Sequence, residues 1–172
     1  VYSLYLWSEA DAPWVSAVIF GFKGGREARA AEILAGRFSF ERSSLGRCRP
    51  CAFIVPPRSG KRRDHAWIFA RSLAEQWGVP LFDIFEPPQK TNRKSQKSQD
   101  LAERAECRFQ LRVDRQTVQD LLASSPGPIV FVDDVITSGA TAMAAYMALE
   151  DPSRFEVWTL ANRPKLARQT GI

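Results

Sequence analysis

A continuous apolar run, Ile129, Val130, Phe131 and Val132, leads straight into a pair of carboxylates, Asp133 and Asp134. Read as a strand, such a run has no polar alternate positions, so both of its faces must be covered. That requirement predicts a buried parallel sheet with helices on either side, not an antiparallel sheet with one wet face. The rest of the chain supplies the alternation such a fold needs. Strands are expected over residues 14–22, 52–55, 79–85 and 155–161, with a further extended piece over 109–113. Helices are expected over 26–38, 64–77, 101–106, 115–123 and 140–149. Asp64 is placed to cap the second helix and Gly78 to end it. The fold class read from this order is α/β with a mainly parallel sheet.

The chain has 172 residues, of which 45% are apolar and 25% charged, so it is expected to form one domain with a core that needs no disulfide or structural metal. No internal repeat is present. The longest nearly apolar stretch, residues 15–22, is far short of the roughly 20 residues a membrane helix needs, so no membrane is expected as a partner. The first residues, from Val1 to Trp7, lack the basic start and long apolar run of a signal peptide, and the expected compartment is the cytoplasm. Residues 87–100 are polar and basic and read as a mobile loop.

The net charge of +5 is not spread evenly. Residues 51–108 carry eleven Lys/Arg against seven Asp/Glu, whereas residues 109–172 carry six against seven. A surplus confined to the middle of the chain points to a local anionic partner. Cys48 and Cys51 form a single CxxC, Cys107 stands apart, and His65 is the only histidine. A single CxxC, with Cys107 and the one histidine set well apart from it, does not read as a zinc module, so the cysteines are expected to be reduced thiols at a strand start.

The chemistry concentrates in residues 129–141. The acid pair closes the buried strand at the end where open α/β sheets bind ligands. Thr137, Ser138, Gly139, Ala140 and Thr141 then turn into a helix, bringing hydroxyls, a glycine and free N–H groups together as a phosphate cradle. Carboxylates accept hydrogen bonds from vicinal hydroxyls, so a ribose 5-phosphate satisfies both halves at once. Neither a Walker P-loop nor a G-x-G-x-x-G fingerprint occurs, and one histidine makes a hydrolytic triad a poor fit. His65 itself, at the start of a helix after a basic stretch, either touches phosphate or simply caps and packs.

Residues 129–141 resemble the PRPP-binding motif of type I phosphoribosyltransferases. The resemblance implies that Asp133 and Asp134 take the ribose hydroxyls and Thr137–Thr141 the 5-phosphate. It also implies that Arg58, Ser59, Gly60 and Lys61, after the strand at 52–55, bind pyrophosphate. The stretch from Lys90 to Lys97 matches the family's flexible loop, from which Arg93, Lys94 or Lys97 reaches the pyrophosphate. Phe22-Lys23-Gly24-Gly25-Arg26, Gln96, Glu103-Arg104 and Phe109 recur in an order similar to the ComF-like competence proteins, a phosphoribosyltransferase-like branch associated with DNA uptake. That family's four-cysteine module is not found here. Its Arg-Gly-Phe-Asn-Gln stretch falls on Lys61 to His65, where only the basic first residue is kept.

The implied fold is the type I phosphoribosyltransferase fold: a five-strand parallel core flanked by helices, with a small hood expected within residues 1–22. The implied partners are PRPP carrying Mg²⁺ and an unidentified nitrogen acceptor, with pyrophosphate released; a homodimer is compatible. The rival expectation is a competence or regulatory protein that binds PRPP or single-stranded DNA without turnover. Its basic stretches, however, contain no interleaved aromatic residues on which bases would stack.

Overall fold

The computed structural model describes residues 1–6, 12–23, 27–46, 48–57, 64–87, 109–123, 126–150 and 153–163. In chain order these form β1 (Tyr2–Leu6), α1 (Ala12–Lys23), α2 (Glu27–Ser44), β2 (Ala52–Ile54), α3 (His65–Trp77), β3 (Leu81–Phe82), α4 (Arg115–Ala123), β4 (Ile129–Ile136), α5 (Ala140–Ala148) and β5 (Phe155–Asn162). The strands make one five-stranded sheet in the order β1-β5-β4-β2-β3, and every neighbouring pair is parallel. The expected α/β class with a parallel sheet is therefore observed.

β4 is the reason for this architecture. Ile129, Val130, Phe131 and Val132 are all fully buried, as their continuous apolar character demands. Alternate residues serve alternate faces. Val130 and Val132 join Phe53 and Trp158 in a core that α1, α2 and α3 cover with Val15, Ile19, Phe38, Phe69 and Leu73. Ile129 and Phe131 join Ile54 and Val157 in a second core, covered from α4 and α5 by Val118, Ala142 and Ala145. Full burial of each large side chain contributes about 1.5–3 kcal/mol.

The topology then places a crevice. Connections that travel towards the β3 edge carry α1, α2 and α3 over the first face. Connections that travel towards the β1 edge carry α4 and α5 over the second. Each direction has its own face, as expected when every crossover has the same hand. β2 and β4 are neighbours whose chains leave in opposite directions, and such a switch point opens a ligand-sized gap at the carboxyl ends of the strands.

Two expectations are corrected here. Residues 14–22 are not a strand but belong to α1, whose buried Val15, Ile19 and Phe22 recur at helical spacing while Ala17, Phe20 and Gly21 stay exposed. Within residues 1–22, where a hood is expected, Tyr2–Leu6 is an edge strand of the main sheet, pairing Tyr2 with Trp158 and Leu6 with Asn162, and α1 packs in the adjoining helical layer. The strand expected at 79–85 is short, limited to Leu81–Phe82, and Phe85 instead makes an antiparallel bridge to Leu111 from the expected extended piece. The helix expected at 101–106 lies outside the described residues, as does the loop of residues 87–100 apart from Pro87. No helix among the described residues is long and apolar enough to cross a membrane.

Away from the crevice, a charged cluster ties α2 to the sheet. Arg42 is 4% exposed, pairs with Glu156 of β5, and lies over the rings of Tyr2 and Trp158. Trp158 Nε1 donates to the same carboxylate at 2.8 Å. Glu156 is a third exposed, so it is loss of the glutamate, which strands the buried Arg42 charge, that approaches the roughly 3–5 kcal/mol cost of breaking a buried pair.

Candidate functional site

The pairing of β2 with β4 ends at Ile54 opposite Phe131, while β4 continues beside β5 as far as Ile136 opposite Asn162. β2 stops because Val55 is followed by Pro56 and Pro57, neither of which can donate to a ladder. β4 therefore runs past its neighbour, and the first residues beyond the last β2 pair, after Val132, are Asp133 and Asp134. Both are half-buried, and both line a cleft of about 220 Å³ together with Pro56, Pro57, Asp64, His65 and Ala66. The sequence motif and the crevice predicted by topology are thus the same place.

The acid pair is held by its own backbone. Asp133 Oδ1 accepts the Asp134 N–H at 2.8 Å, and Asp134 Oδ1 accepts the Val135 N–H at 2.8 Å. Thr159, fully buried in β5, donates its hydroxyl to the carbonyls of Asp134 and Ala161, each at 3.1 Å. Each carboxylate has one oxygen engaged in orienting the side chain, and a carboxylate has several acceptor sites in all. Thr159 was not legible as part of the site. Its signal is a lone hydroxyl in the otherwise apolar run Val157–Ala161, and only the β4–β5 register gives that hydroxyl its partner.

The phosphate-cradle residues follow at once. Thr137 and Ser138 are exposed, and Gly139, Ala140 and Thr141 are half-buried. Gly139 starts α5 at φ 75°, ψ 0°, a left-handed conformation that glycine adopts without strain, and no side chain caps the helix. The Ala140 N–H reaches Ser138 Oγ only at 3.4 Å. The first N–H groups of α5 stand at the positive end of the helix dipole. This turn adjoins the cleft along the chain but is not among the residues lining it.

The other wall comes from α3. Asp64 precedes it at φ −107°, ψ 94° and accepts the Trp67 N–H at 3.1 Å, and Gly78 ends it at φ 59°. These are the cap and terminator expected from sequence. Arg58, Ser59, Gly60 and Lys61 lie outside the described residues, although Pro57 and Asp64, which flank residues 58–63, both line the cleft. Arg93, Lys94 and Lys97 also lie outside them.

Among the described residues no group of three or more His, Cys, Asp or Glu side chains is placed to hold a metal ion. A Mg²⁺ that arrives on a diphosphate asks for less, commonly one or two carboxylates beside the phosphates. Asp133 and Asp134 meet that demand. The CxxC lies on the approach to β2, with Cys48 exposed and Cys51 buried, both free. Burial pushes the Cys51 thiol up from its usual range, so it stays protonated and unreactive.

No protein-family model matches the chain, and no curated protein matches it.

Proposed function

We propose that the chain is a phosphoribosyltransferase-like protein of the type I fold, in the ComF-like branch, that binds Mg-PRPP and transfers its phosphoribosyl group to a nitrogen acceptor. The observation that carries this reading is the acid pair standing in the cleft at the switch point, one short turn ahead of an uncapped, glycine-led helix start. A ribose 5-phosphate spans those two features, with its vicinal hydroxyls on the carboxylates and its phosphate on the turn.

In the proposed reaction a nitrogen lone pair forms the new bond to C1 of the ribose. The C1–O bond breaks, its electron pair leaves with the diphosphate, and the acceptor nitrogen loses its proton to solvent. Asp133 and Asp134 fix the ribose by accepting from its hydroxyls, so that C1 presents one face to the acceptor. Thr137, Ser138 and the N–H groups at Gly139, Ala140 and Thr141 anchor the 5-phosphate. Arg58, Ser59, Gly60, Lys61 and the loop bearing Arg93, Lys94 and Lys97 are assigned to the leaving diphosphate, whose charge the bound Mg²⁺ also offsets.

Calorimetric titration with PRPP, with and without Mg²⁺, tests the binding step, and a screen of nucleobases for pyrophosphate release tests turnover. Binding without release from any acceptor narrows the reading to a PRPP-binding protein, and absence of PRPP binding overturns it. Single-stranded DNA, the rival ligand of the basic stretches, is expected to bind weakly and to be displaced by Mg-PRPP. Its affinity should fall with salt at a log–log slope of about −0.7 per phosphate neutralised. Tight DNA binding at physiological salt that saturating Mg-PRPP leaves undisturbed would give nucleic acid a site of its own.

A further inference from the structure

The peptide between Asp134 and Val135 is gripped at both of its polar ends. Its N–H donates to Asp134 Oδ1 at 2.8 Å, and its carbonyl, that of Asp134, accepts the Thr159 hydroxyl at 3.1 Å. A peptide is rigid and close to planar, so whatever fixes its carbonyl also fixes the direction of its N–H. A hydrogen bond to the carbonyl further polarises the unit and strengthens the N–H as a donor. The contacts therefore run from a hydroxyl in β5, through one peptide plane, to a carboxylate in the cleft.

The topology explains the need for such a grip. β4 loses its β2 neighbour after Phe131, and from there to Ile136 the strand beside it is β5. Thr159 lies opposite Asp133 in that ladder and is fully buried, so it touches no ligand itself. Valine would fill nearly the same space in this apolar run without the cost of burying a hydroxyl. The hydroxyl has one proton, set between the carbonyls of Asp134 and Ala161 at 3.1 Å from each, and it ties β4 to β5 at the level of the acid pair.

We infer that Thr159 is a positioning residue for ribose binding: it sets the peptide that aims the Asp134 carboxylate, an inference that rests on the PRPP reading above. Its action is confined to Asp134. Asp133 is oriented through the preceding peptide, by the Asp134 N–H. The 5-phosphate, assigned to the turn into α5, takes no part in this chain of contacts.

Thr159→Val removes the hydroxyl and keeps the branched shape. It should weaken ribose 5-phosphate and Mg-PRPP binding about threefold to tenfold, the loss of roughly one uncharged hydrogen bond. Binding of inorganic phosphate, a probe of the turn alone, should not change. Thr159→Ser keeps the hydroxyl and leaves a methyl-sized gap, so it should unfold at lower urea concentration yet bind both sugar phosphates as wild type does. Thr159→Ala removes that hydroxyl at nearly the same size and should show the loss expected of the valine variant. In Asp134→Ala there is no carboxylate to aim, and adding Thr159→Val should cost nothing further; in Asp133→Ala it should cost its full factor. Folded valine and alanine variants that bind ribose 5-phosphate like wild type overturn the inference. So does affinity that follows stability across the three substitutions, or a valine effect that persists undiminished in Asp134→Ala. Each of these results leaves the PRPP reading standing. Wild-type protein that binds neither Mg-PRPP nor ribose 5-phosphate overturns both.

Discussion

α3 and α5 both start at the carboxyl edge of the sheet, after neighbouring strands, yet their first turns are finished in opposite ways. α3 is closed: the Asp64 carboxylate accepts the Trp67 N–H and sets a negative charge on the positive end of the helix. α4, away from the crevice, is closed likewise by Asp114, which accepts the Thr117 N–H at 2.8 Å. α5 is open, with a left-handed glycine at its start and no side-chain cap. A carboxylate cap gives a helix start its stability but takes up an N–H group that an anion could otherwise use. An uncapped start keeps its donors for one. By itself that contrast shows only what α5 lacks. It gains meaning from the acid pair a few residues earlier, the proposed ribose half of the same ligand.

The largest effect should come from removing the acid pair's charge while sparing its geometry. In Asp133→Asn with Asp134→Asn, each amide keeps an Oδ1 to accept the Asp134 and Val135 N–H groups, so the fold should survive. Hydrogen bonds to charged acceptors contribute about 1.5–3 kcal/mol each, and PRPP affinity should therefore fall by several kcal/mol in calorimetry. An unchanged affinity in a folded double variant removes the ribose assignment.

Next comes converting the open start into a closed one. Gly139→Asp places at α5 the carboxylate that α3 already has. Repulsion between it and a bound phosphate about 4 Å away is worth roughly 1–4 kcal/mol, depending on how much water screens the pair. Gly139→Asn tolerates the same left-handed backbone without the charge. A Cβ at this position would meet no atom of the chain, so the aspartate acts through charge and backbone strain, not through a clash. Ribose 5-phosphate binding should fall in the order glycine, asparagine, aspartate. Equal binding by the asparagine and aspartate variants would show that no phosphate sits there.

The reverse experiment opens α3. Asp64→Ala removes the cap at Trp67 and should cost about 1 kcal/mol of stability in urea unfolding, and Asp64→Ser should recover most of it. A midpoint unchanged by the alanine would mean that α3 is held by packing alone, through Phe69 and Leu73, and that its capped start carries no weight in the comparison.

How much of this could be read beforehand varies with what decides each element. α3 was legible because cap, apolar spacing and terminator all lie within its own residues. The acid pair and the turn were legible because their chemistry is local. Residues 14–22 were not, since a run of Val, Ile and Phe suits a strand equally well until it is known which side chains are covered. β1 gave no local signal, because its pairing partner, β5, lies at the far end of the chain. The grip of Thr159 on Asp134 depends on a neighbour that only the folded sheet supplies.

The smallest effect concerns the second closed start. The Asp114 carboxyl is held below the usual carboxylate range, first by the Thr117 N–H and then by the Thr117 hydroxyl at 3.1 Å. A depressed folded-state pKa stabilises the protein above the unfolded value of about 3.9, and the contribution disappears as pH falls through the folded value. Asparagine caps about as well as aspartate but does not titrate. Wild type should thus be slightly the more stable protein at pH 6, and its advantage over Asp114→Asn should shrink to nothing on the way from pH 4 to pH 2. The site is fully exposed, so salt should blunt the difference as well. An advantage that persists at pH 2 would mean that the cap acts through shape alone. The charge on a carboxylate cap would then no longer explain why the start of α5 goes without one.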